Sequence, residues 1–192
     1  MAAKLNALIL DSTSTPGKPL TNAERKEEAA LAGNLSQLGM NDEEMITGIQ
    51  GDEHVFYTDG LHGCLVYLYV TRTGIATFGH VDVGAVINNL DRFINMAAKL
   101  NAIILKPAIT ELPELERIVG PNVTTYRYEI YNYDYDAHKA AWDESPGLHS
   151  VCISLKRTVS GYEVRLSAFE RAPGAQLVIP YLPEQADATF IL

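Results

Sequence analysis

The middle of the chain has the apolar, β-branched and aromatic pattern that is typical of strands. Residues 54–58 and 62–71 are rich in valine, leucine and aromatic side chains, and 75–80 continues the pattern. Between the last two stands Thr71-Arg72-Thr73-Gly74, a turn with glycine where a positive φ is needed. The sequence therefore predicts a hairpin of 62–71 with 75–80, preceded by a tight turn at Asp59-Gly60.

Apolar residues spaced by three and four predict one long helix after residue 82. Seven of them fall on a single stripe: Val86, Ile87, Leu90, Phe93, Ile94, Ala97 and Leu100. Asp82 stands where an N-cap is expected. Shorter helices are predicted at 25–32, behind a capping box of Thr21 and Glu24 and before Gly33, and also at 41–49 and 114–119.

The second half of the chain is richer in strands than in helices. Strands are predicted at 102–105, 123–135, 150–157, 162–169 and 176–180, and an opening strand at 6–11. Ser160-Gly161 marks a second hairpin. This order predicts the α+β class, as a largely antiparallel β-sandwich or mixed sheets flanked by helices, in a single domain spanning 1–192.

Composition and charge narrow the range of functions. The 192 residues are 47% hydrophobic and carry a formal net charge of −9, with a pI near 5.0. This excess of acid repels phosphate backbones, so nucleic acid is not expected as a partner. The longest apolar runs fall far short of the roughly 20 residues that cross a bilayer, so no membrane span is expected.

Cysteine and histidine usage indicates reduced thiols and no metal. Cys64 and Cys152 are the two cysteines, and the five histidines are dispersed without metal-ligand spacing. We therefore expect neither a metal nor an organic cofactor. The N-terminus lacks the pattern of a Sec-type signal peptide, which predicts a cytoplasmic protein or one delivered into a host cell without such a signal.

The predicted hairpin brings a cysteine and a histidine together. If residues 72–74 form the loop, Thr71 faces Ile75 and Val66 faces His80. Cys64 then lies one diagonal step from His80 on the same face, with about 7–8 Å between the backbones. A bulge in either strand would break this relation.

A cysteine beside a histidine predicts thiol chemistry. A thiol of pKa about 8.5 is mostly protonated at neutral pH, and an imidazole base makes it nucleophilic. Gly63 leaves room for a substrate carbonyl, and backbone N–H groups near Cys64 can stabilise an oxyanion. We expect such a pair in an open cleft. The alternative is an inert Cys64 packed in the core, because cysteine is among the most buried residue types.

One stretch of the chain resembles known deamidases. The residues Thr58 to Cys64 (TDGLHGC), followed by Gly79 to Asp82 (GHVD), resemble the T-x-x-L-x-G-C and H-[IV]-D arrangement of Burkholderia lethal factor. They are also similar to the catalytic regions of cytotoxic necrotising factor and of the chemoreceptor deamidase CheD. His62 stands where a serine is usual in this arrangement.

The resemblance implies a protein glutamine deamidase. On the matching positions it implies Thr58, Cys64 and His80 as catalytic residues, with Gly63 and His62 at the substrate. It implies a target protein bearing a glutamine as partner, a thioester intermediate, no cofactor, and a bacterial toxin or effector. Two alternatives stay open, which are another thiol amidohydrolase or transglutaminase and a noncatalytic protein-binding domain.

Other polar and aromatic residues have simpler interpretations. Asp82 is favoured as a helix cap over a role as an orienting partner of His80. His54 is a candidate neighbour of Cys64, and Cys152 is expected to be an inert core thiol. A tyrosine-rich strand either grips a protein partner or is half buried, and it contains Tyr126, Tyr128, Tyr131, Tyr133 and Tyr135.

Overall fold

Strands outnumber helices in the computed structural model, which describes residues 20, 22–49, 52–61, 63–107, 112–128, 149–159, 161–166, 170–171 and 187–190. The strands are β1 (Leu35–Leu38), β2 (Asp42–Ile46), β3 (Glu53–Thr58), β4 (Cys64–Val70), β5 (Ala76–Asp82), β6 (Asn101–Pro107), β7 (Val123–Tyr128), β8 (His149–Thr158), β9 (Gly161–Leu166), β10 (Glu170–Arg171) and β11 (Asp187–Phe190). The helices are α1 (Asn22–Ala32), α2 (Val83–Asn88), α3 (Leu90–Lys99) and a 3₁₀ helix (Pro113–Arg117). Within these ranges, none of the helices has the length and apolar character that crossing a membrane requires.

The strands form two sheets. The first sheet has the order β1-β3-β8-β9-β11, with β10 paired to β8, and the second has the order β2-β5-β4-β6-β7. Among the described strands, β1-β3 and β6-β7 are parallel and the other neighbours are antiparallel. Mixed sheets accompanied by helices confirm the predicted α+β class.

The second sheet is buried on both faces. Alternate residues of β4 divide between two cores: Cys64, Val66, Leu68 and Val70 face the first sheet, whereas Leu65, Tyr67 and Tyr69 face the helices. All seven residues of β4 are buried. A strand covered on both sides needs apolar side chains at every position, which explains the continuous apolar run of its sequence.

The helices before and after the hairpin are confirmed with adjusted bounds. α1 ends where Gly33 takes a φ of 71°, and the predicted capping residue Thr21 lies outside the described residues. The long predicted helix begins directly after its cap Asp82, as expected, but it is broken into α2 and α3. Asn89 lies at the break with a φ of −125°, because asparagine favours local hydrogen bonds over a continuous helix.

The helix predicted at 41–49 is wrong. This segment forms β2, which pairs with β5 from Asp42 opposite His80 to Ile46 opposite Ala76. Asn41 precedes the strand with a φ of 65°. Acidic residues that would favour the start of a helix therefore lie on an edge strand, since strand pairing outweighs weak local propensity.

The tight turn predicted at Asp59-Gly60 does not join neighbouring strands. Gly60 does take a positive φ of 67°, but β3 belongs to the first sheet and β4 to the second. The chain therefore passes from one layer to the other between Thr58 and Cys64. Leu61 is fully buried in the core between the two sheets, so this crossover is anchored by an apolar side chain.

The other predicted strands are confirmed where the structure describes them. Their predicted spans correspond to β3, β4, β5, β6, β7, β8 and β9. The hairpin at Ser160-Gly161 is confirmed by the pairing of Thr158 with Gly161. The helix predicted at 114–119 corresponds to the 3₁₀ helix at Pro113–Arg117. The strands predicted at 6–11 and 176–180, together with residues 129–135 and 167–169, lie outside the described residues. The strands β1, β10 and β11 were not predicted.

Candidate functional site

The β4-β5 hairpin has the predicted register. The Thr71 N–H donates to the Ile75 carbonyl at 2.9 Å, which closes the loop. Val66 lies opposite His80, and Cys64 lies opposite Asp82. Cys64 and His80 are therefore diagonal neighbours on one face of the sheet, as predicted from sequence.

This shared face is the interior between the two sheets. Cys64 belongs to the core there, together with Val66 and Phe78. Cys64 is 3% exposed and His80 is 1% exposed. The open cleft expected from sequence is therefore absent at these two residues, because the first sheet packs against the face that carries them.

A threonine from the first sheet contacts the histidine of the second. Thr58 is the last residue of β3, and its Oγ1 lies 2.7 Å from His80 Nδ1. The same hydroxyl donates to the Leu38 carbonyl at 2.9 Å. Thr58 is fully buried, so neither bond competes with water. Of the predicted residues, Thr58 and His80 are thus joined directly across the two layers.

The two hydrogen bonds of Thr58 determine which nitrogen of His80 carries the proton. A carbonyl oxygen only accepts, so the hydroxyl proton points to Leu38. The hydroxyl oxygen must then accept from the ring, which places the imidazole proton on Nδ1. The neutral ring consequently presents an unprotonated Nε2, which is the form a general base requires.

His80 Nε2 is an unsatisfied acceptor. It is buried, and no atom of the described residues hydrogen bonds with it. Burial lowers the pKa of His80 to about 4, and the negative charges of Asp59 and Asp42 only partly oppose this. The imidazole is therefore neutral near pH 7. A buried polar atom without a partner costs about 1–3 kcal/mol, and such atoms often mark functional sites.

Asn41 supports the histidine but was not predicted from sequence. Its N–H donates to the His80 carbonyl at 2.6 Å, and its Oδ1 accepts from the Asp82 N–H at 3.0 Å. Both contacts depend on the left-handed backbone of Asn41, a conformation that asparagine tolerates better than most residues. The Asn-Asp pair at 41–42 is a turn signal, and it could have indicated the left-handed backbone of Asn41 from sequence.

Gly79 is a second support of His80, and its packing role was not predicted from sequence. A Cβ at this position would lie 2.3 Å from Cζ of Tyr67, so the tyrosine ring packs directly on the backbone before His80. The Tyr67 hydroxyl donates to the Glu43 carboxylate, which also accepts from Arg92 at 2.6 Å. The only sequence signal is a glycine inside a strand, which often marks such a close approach.

The two predicted substrate-binding residues have different outcomes. Gly63 takes a φ of 77°, a conformation that glycine adopts at low cost. It therefore sets the backbone direction immediately before Cys64, and its role at a substrate stays a prediction. His62 lies outside the described residues.

The remaining candidates lie away from the pair or have structural roles. Asp82 is confirmed as a helix cap, since it accepts from the Ala85 N–H at 3.0 Å. His54 Nε2 lies 2.8 Å from Ser36 Oγ, and its position four residues before Thr58 on β3 puts it about 13 Å along the strand. His54 therefore lies near the opposite end of β3 from Thr58, where it contacts Ser36 of β1.

Cys152 and Tyr126 behave as core residues. Cys152 is 1% exposed and Tyr126 is 4% exposed. Cys152 lines a cavity of about 240 Å³ between α1 and the outer face of the first sheet, together with Arg25, Asn34 and Val55. Tyr131, Tyr133 and Tyr135 lie outside the described residues. Among the residues that are described, no group of three or more His, Cys, Asp or Glu side chains is arranged to hold a metal ion.

The structural similarity of this chain to a known protein is weak. No protein-family model and no curated protein sequence matches this chain. Among solved structures, the chain is similar to the C-terminal domain of CNFy from Yersinia pseudotuberculosis, with a TM-score of 0.43 and 12% identity over 80% of this chain. The match spans 62% of that chain, which is less than two thirds of it. At this TM-score and identity, the similarity establishes neither a shared fold nor a shared activity.

Proposed function

We propose that this chain is a protein glutamine deamidase, with Cys64 as nucleophile, His80 as base and Thr58 as the residue that positions the base. The observation that carries the proposal is the unprotonated, unpartnered Nε2 of His80 on the face of the sheet that also holds Cys64. The motif resemblance from Thr58 to Asp82 supports the choice of glutamine as the group attacked.

In the first step, the thiol proton of Cys64 passes to His80 Nε2 while the sulfur attacks the carbon of the glutamine side-chain amide. The resulting tetrahedral oxyanion collapses with cleavage of the C–N bond. The proton on Nε2 goes to the leaving nitrogen, which departs as ammonia and leaves a thioester on Cys64.

In the second step, water attacks the thioester carbon and gives a proton to His80 Nε2. Cleavage of the C–S bond releases glutamate, and the proton returns to sulfur. The net change is one water consumed and one ammonia released for each glutamine. No metal or organic cofactor is needed for this balance.

The lowered pKa of His80 decides how the proton moves. An imidazole with a pKa of about 4 is too weak a base to hold a standing thiolate-imidazolium pair, because an unperturbed thiol has a pKa of about 8.5. Transfer of the proton therefore accompanies sulfur attack, as general base catalysis requires. Access is a second requirement, since Cys64 is 3% exposed and a substrate side chain must displace neighbouring groups to reach it.

The test compares wild type with Cys64→Ser after incubation with a host-cell lysate. Mass spectrometry should find site-specific Gln-to-Glu conversion, with a mass increase of about 1 Da, and the serine variant should lower it at least 100-fold. Cys152→Ser is the matched control, because it removes the other buried thiol and should keep activity within about threefold.

The outcomes separate the alternatives. Attachment of an added primary amine to the same glutamine would indicate a transglutaminase instead. Equal conversion with wild type, Cys64→Ser and His80→Ala would show that the deamidation does not come from this site. Absence of any Cys64-dependent modification would favour the noncatalytic binding domain.

A further inference from the structure

Three aspartates surround the cysteine and histidine at one end of the sandwich. Asp42 lies opposite His80 on the neighbouring strand β2. Asp59 follows Thr58, whose hydroxyl contacts His80. Asp82 lies opposite Cys64 on β5. Each comes from a different strand or strand end, so the fold brings three carboxylates, here called the acidic rim, to one place.

The hydrogen bonds of the acidic rim leave its negative charge uncompensated. Asp42 accepts from the Gly39 N–H at 3.1 Å, Asp59 accepts from the Tyr57 hydroxyl at 3.1 Å, and Asp82 accepts from the Ala85 N–H at 3.0 Å. All three donors are neutral. Among the described residues, none of the three aspartates forms an ion pair, whereas Glu43 and Glu163 do.

The rim lies beside an atom that lacks a partner. His80 Nε2 is buried and unsatisfied, and Asp42 and Asp59 are the charges that act on this ring. Asp42 is exposed, and Asp59 and Asp82 are partly exposed. A group that approaches the buried base from solvent at this end therefore passes through a negative potential.

We infer that the target glutamine lies in a segment of the partner protein that carries lysine or arginine close to it. The inference rests on the proposed deamidase function and specifies its substrate class. Cationic side chains on either side of the glutamine would meet the rim while the amide reaches Cys64. The same potential disfavours acidic segments, so the rim favours basic substrate segments and repels acidic ones.

The size of the effect follows from distance and screening. A pair of unit charges about 10 Å apart in water changes a rate or affinity roughly twofold. For three carboxylates, replacing a positive charge on the substrate by a negative one should change the rate about tenfold once salt screening is included.

The first experiment uses three synthetic peptides that differ only in the residues flanking one glutamine, which are lysine, glutamate or serine. Wild type should deamidate the lysine peptide about tenfold faster than the glutamate peptide, as kcat/KM at low salt, and 0.5 M NaCl should reduce the ratio severalfold. The double variant Asp42→Asn/Asp59→Asn should lower the ratio to about twofold, because Asp82 is then the one carboxylate of the rim that remains. Asparagine still accepts the hydrogen bonds, and a ratio cancels any change in His80 itself.

The control is Glu163→Gln, which removes one negative charge from β9, and it should leave the ratio unchanged. Equal rates for the lysine and glutamate peptides, or a ratio that the double variant does not alter, would overturn the inference while leaving the deamidase proposal standing. No turnover of any peptide would count against the deamidase proposal, and the inference then depends on the second measurement.

The second measurement needs no catalysis. In a Cys152→Ser background, modification of Cys64 by a cationic methanethiosulfonate should exceed that by its anionic counterpart about tenfold beyond their ratio with a free thiol. The double aspartate variant should reduce that excess to about twofold, because Asp82 remains. A ratio equal to that of a free thiol, or no modification of Cys64 by either reagent in the folded chain, would overturn the inference.

Discussion

His80 owes its chemical state to residues on two other strands. Thr58 fixes the proton on Nδ1 through its bond to the Leu38 carbonyl, and burial keeps the ring neutral. The hydroxyl is thus more than a strand-end polar group, because it determines which nitrogen of the ring carries the proton.

Thr58→Val should damage both stability and activity. Valine matches the shape of threonine but leaves the Leu38 carbonyl and His80 Nδ1 without a partner, which should lower the free energy of unfolding by about 1–3 kcal/mol. Deamidation should fall at least tenfold, since a correctly placed base contributes roughly 10²–10⁴. Urea unfolding and kcat measure the two effects.

Thr58→Ser is the matched control, because it retains the hydroxyl and should recover most of both losses. Ring ¹⁵N chemical shifts of His80 should report an unprotonated Nε2 in wild type and in Thr58→Ser. A protonated Nε2 in wild type would contradict the assignment of the tautomer.

The lowered pKa of His80 should make the folded chain sensitive to acid. Unfolded, His80 titrates near 6.5, whereas burial lowers its pKa to about 4 in the folded chain. Between these values the unfolded state binds more protons, so stability is retained above pH 6.5 and lost as the pH falls toward 4. From pH 7 to pH 4.5, wild type should lose about 2 kcal/mol more than His80→Gln. Parallel urea titrations of the two chains would show the difference, and identical pH slopes would refute it.

At the scale of elements, local pattern predicted the hairpin best. The register of β4 and β5 depends on a short loop and on alternation, both of which are visible in the sequence, so Cys64 and His80 could be placed correctly. The same local reasoning failed at 41–49, because only the pairing of β2 with β5 makes that segment a strand. Local reasoning also missed the division of β3 and β4 between two sheets. The Asp59-Gly60 pair is compatible both with a tight turn and with a crossover between sheets.

The contact of Gly79 with Tyr67 gives a prediction at this scale. Gly79→Ala should lower the free energy of unfolding by about 1–3 kcal/mol, because its Cβ would overlap a ring held by strand and helix contacts. The measurement is chemical denaturation. Gly48→Ala is the control, since its Cβ would meet nothing within 4 Å, and it should change stability by less than about 0.5 kcal/mol. Equal costs for the two variants would contradict the packing described here.

At the scale of the whole molecule, the crossover 59–63 joins the layers that supply the site. Leu61 is fully buried between them, so Leu61→Ala should cost about 2–5 kcal/mol and should reduce deamidation through displacement of Cys64. Leu31→Ala, at a residue that is 89% exposed, should leave both unchanged. Thermal unfolding measures the loss of stability, and the glutamine assay measures the loss of deamidation. A loss of stability without any loss of activity would show that Leu61 does not help to position Cys64.

The bond between Thr58 and His80 has a consequence for when chemistry begins. One partner belongs to each sheet, so the hydrogen bond that orients the base exists only after the two layers have closed on each other. A chain in which only the second sheet had formed would hold the cysteine and the histidine together, but the imidazole would lack the hydrogen bond that orients it. Activity would therefore arise at the last stage of folding, and a newly made or partly unfolded copy would be inactive.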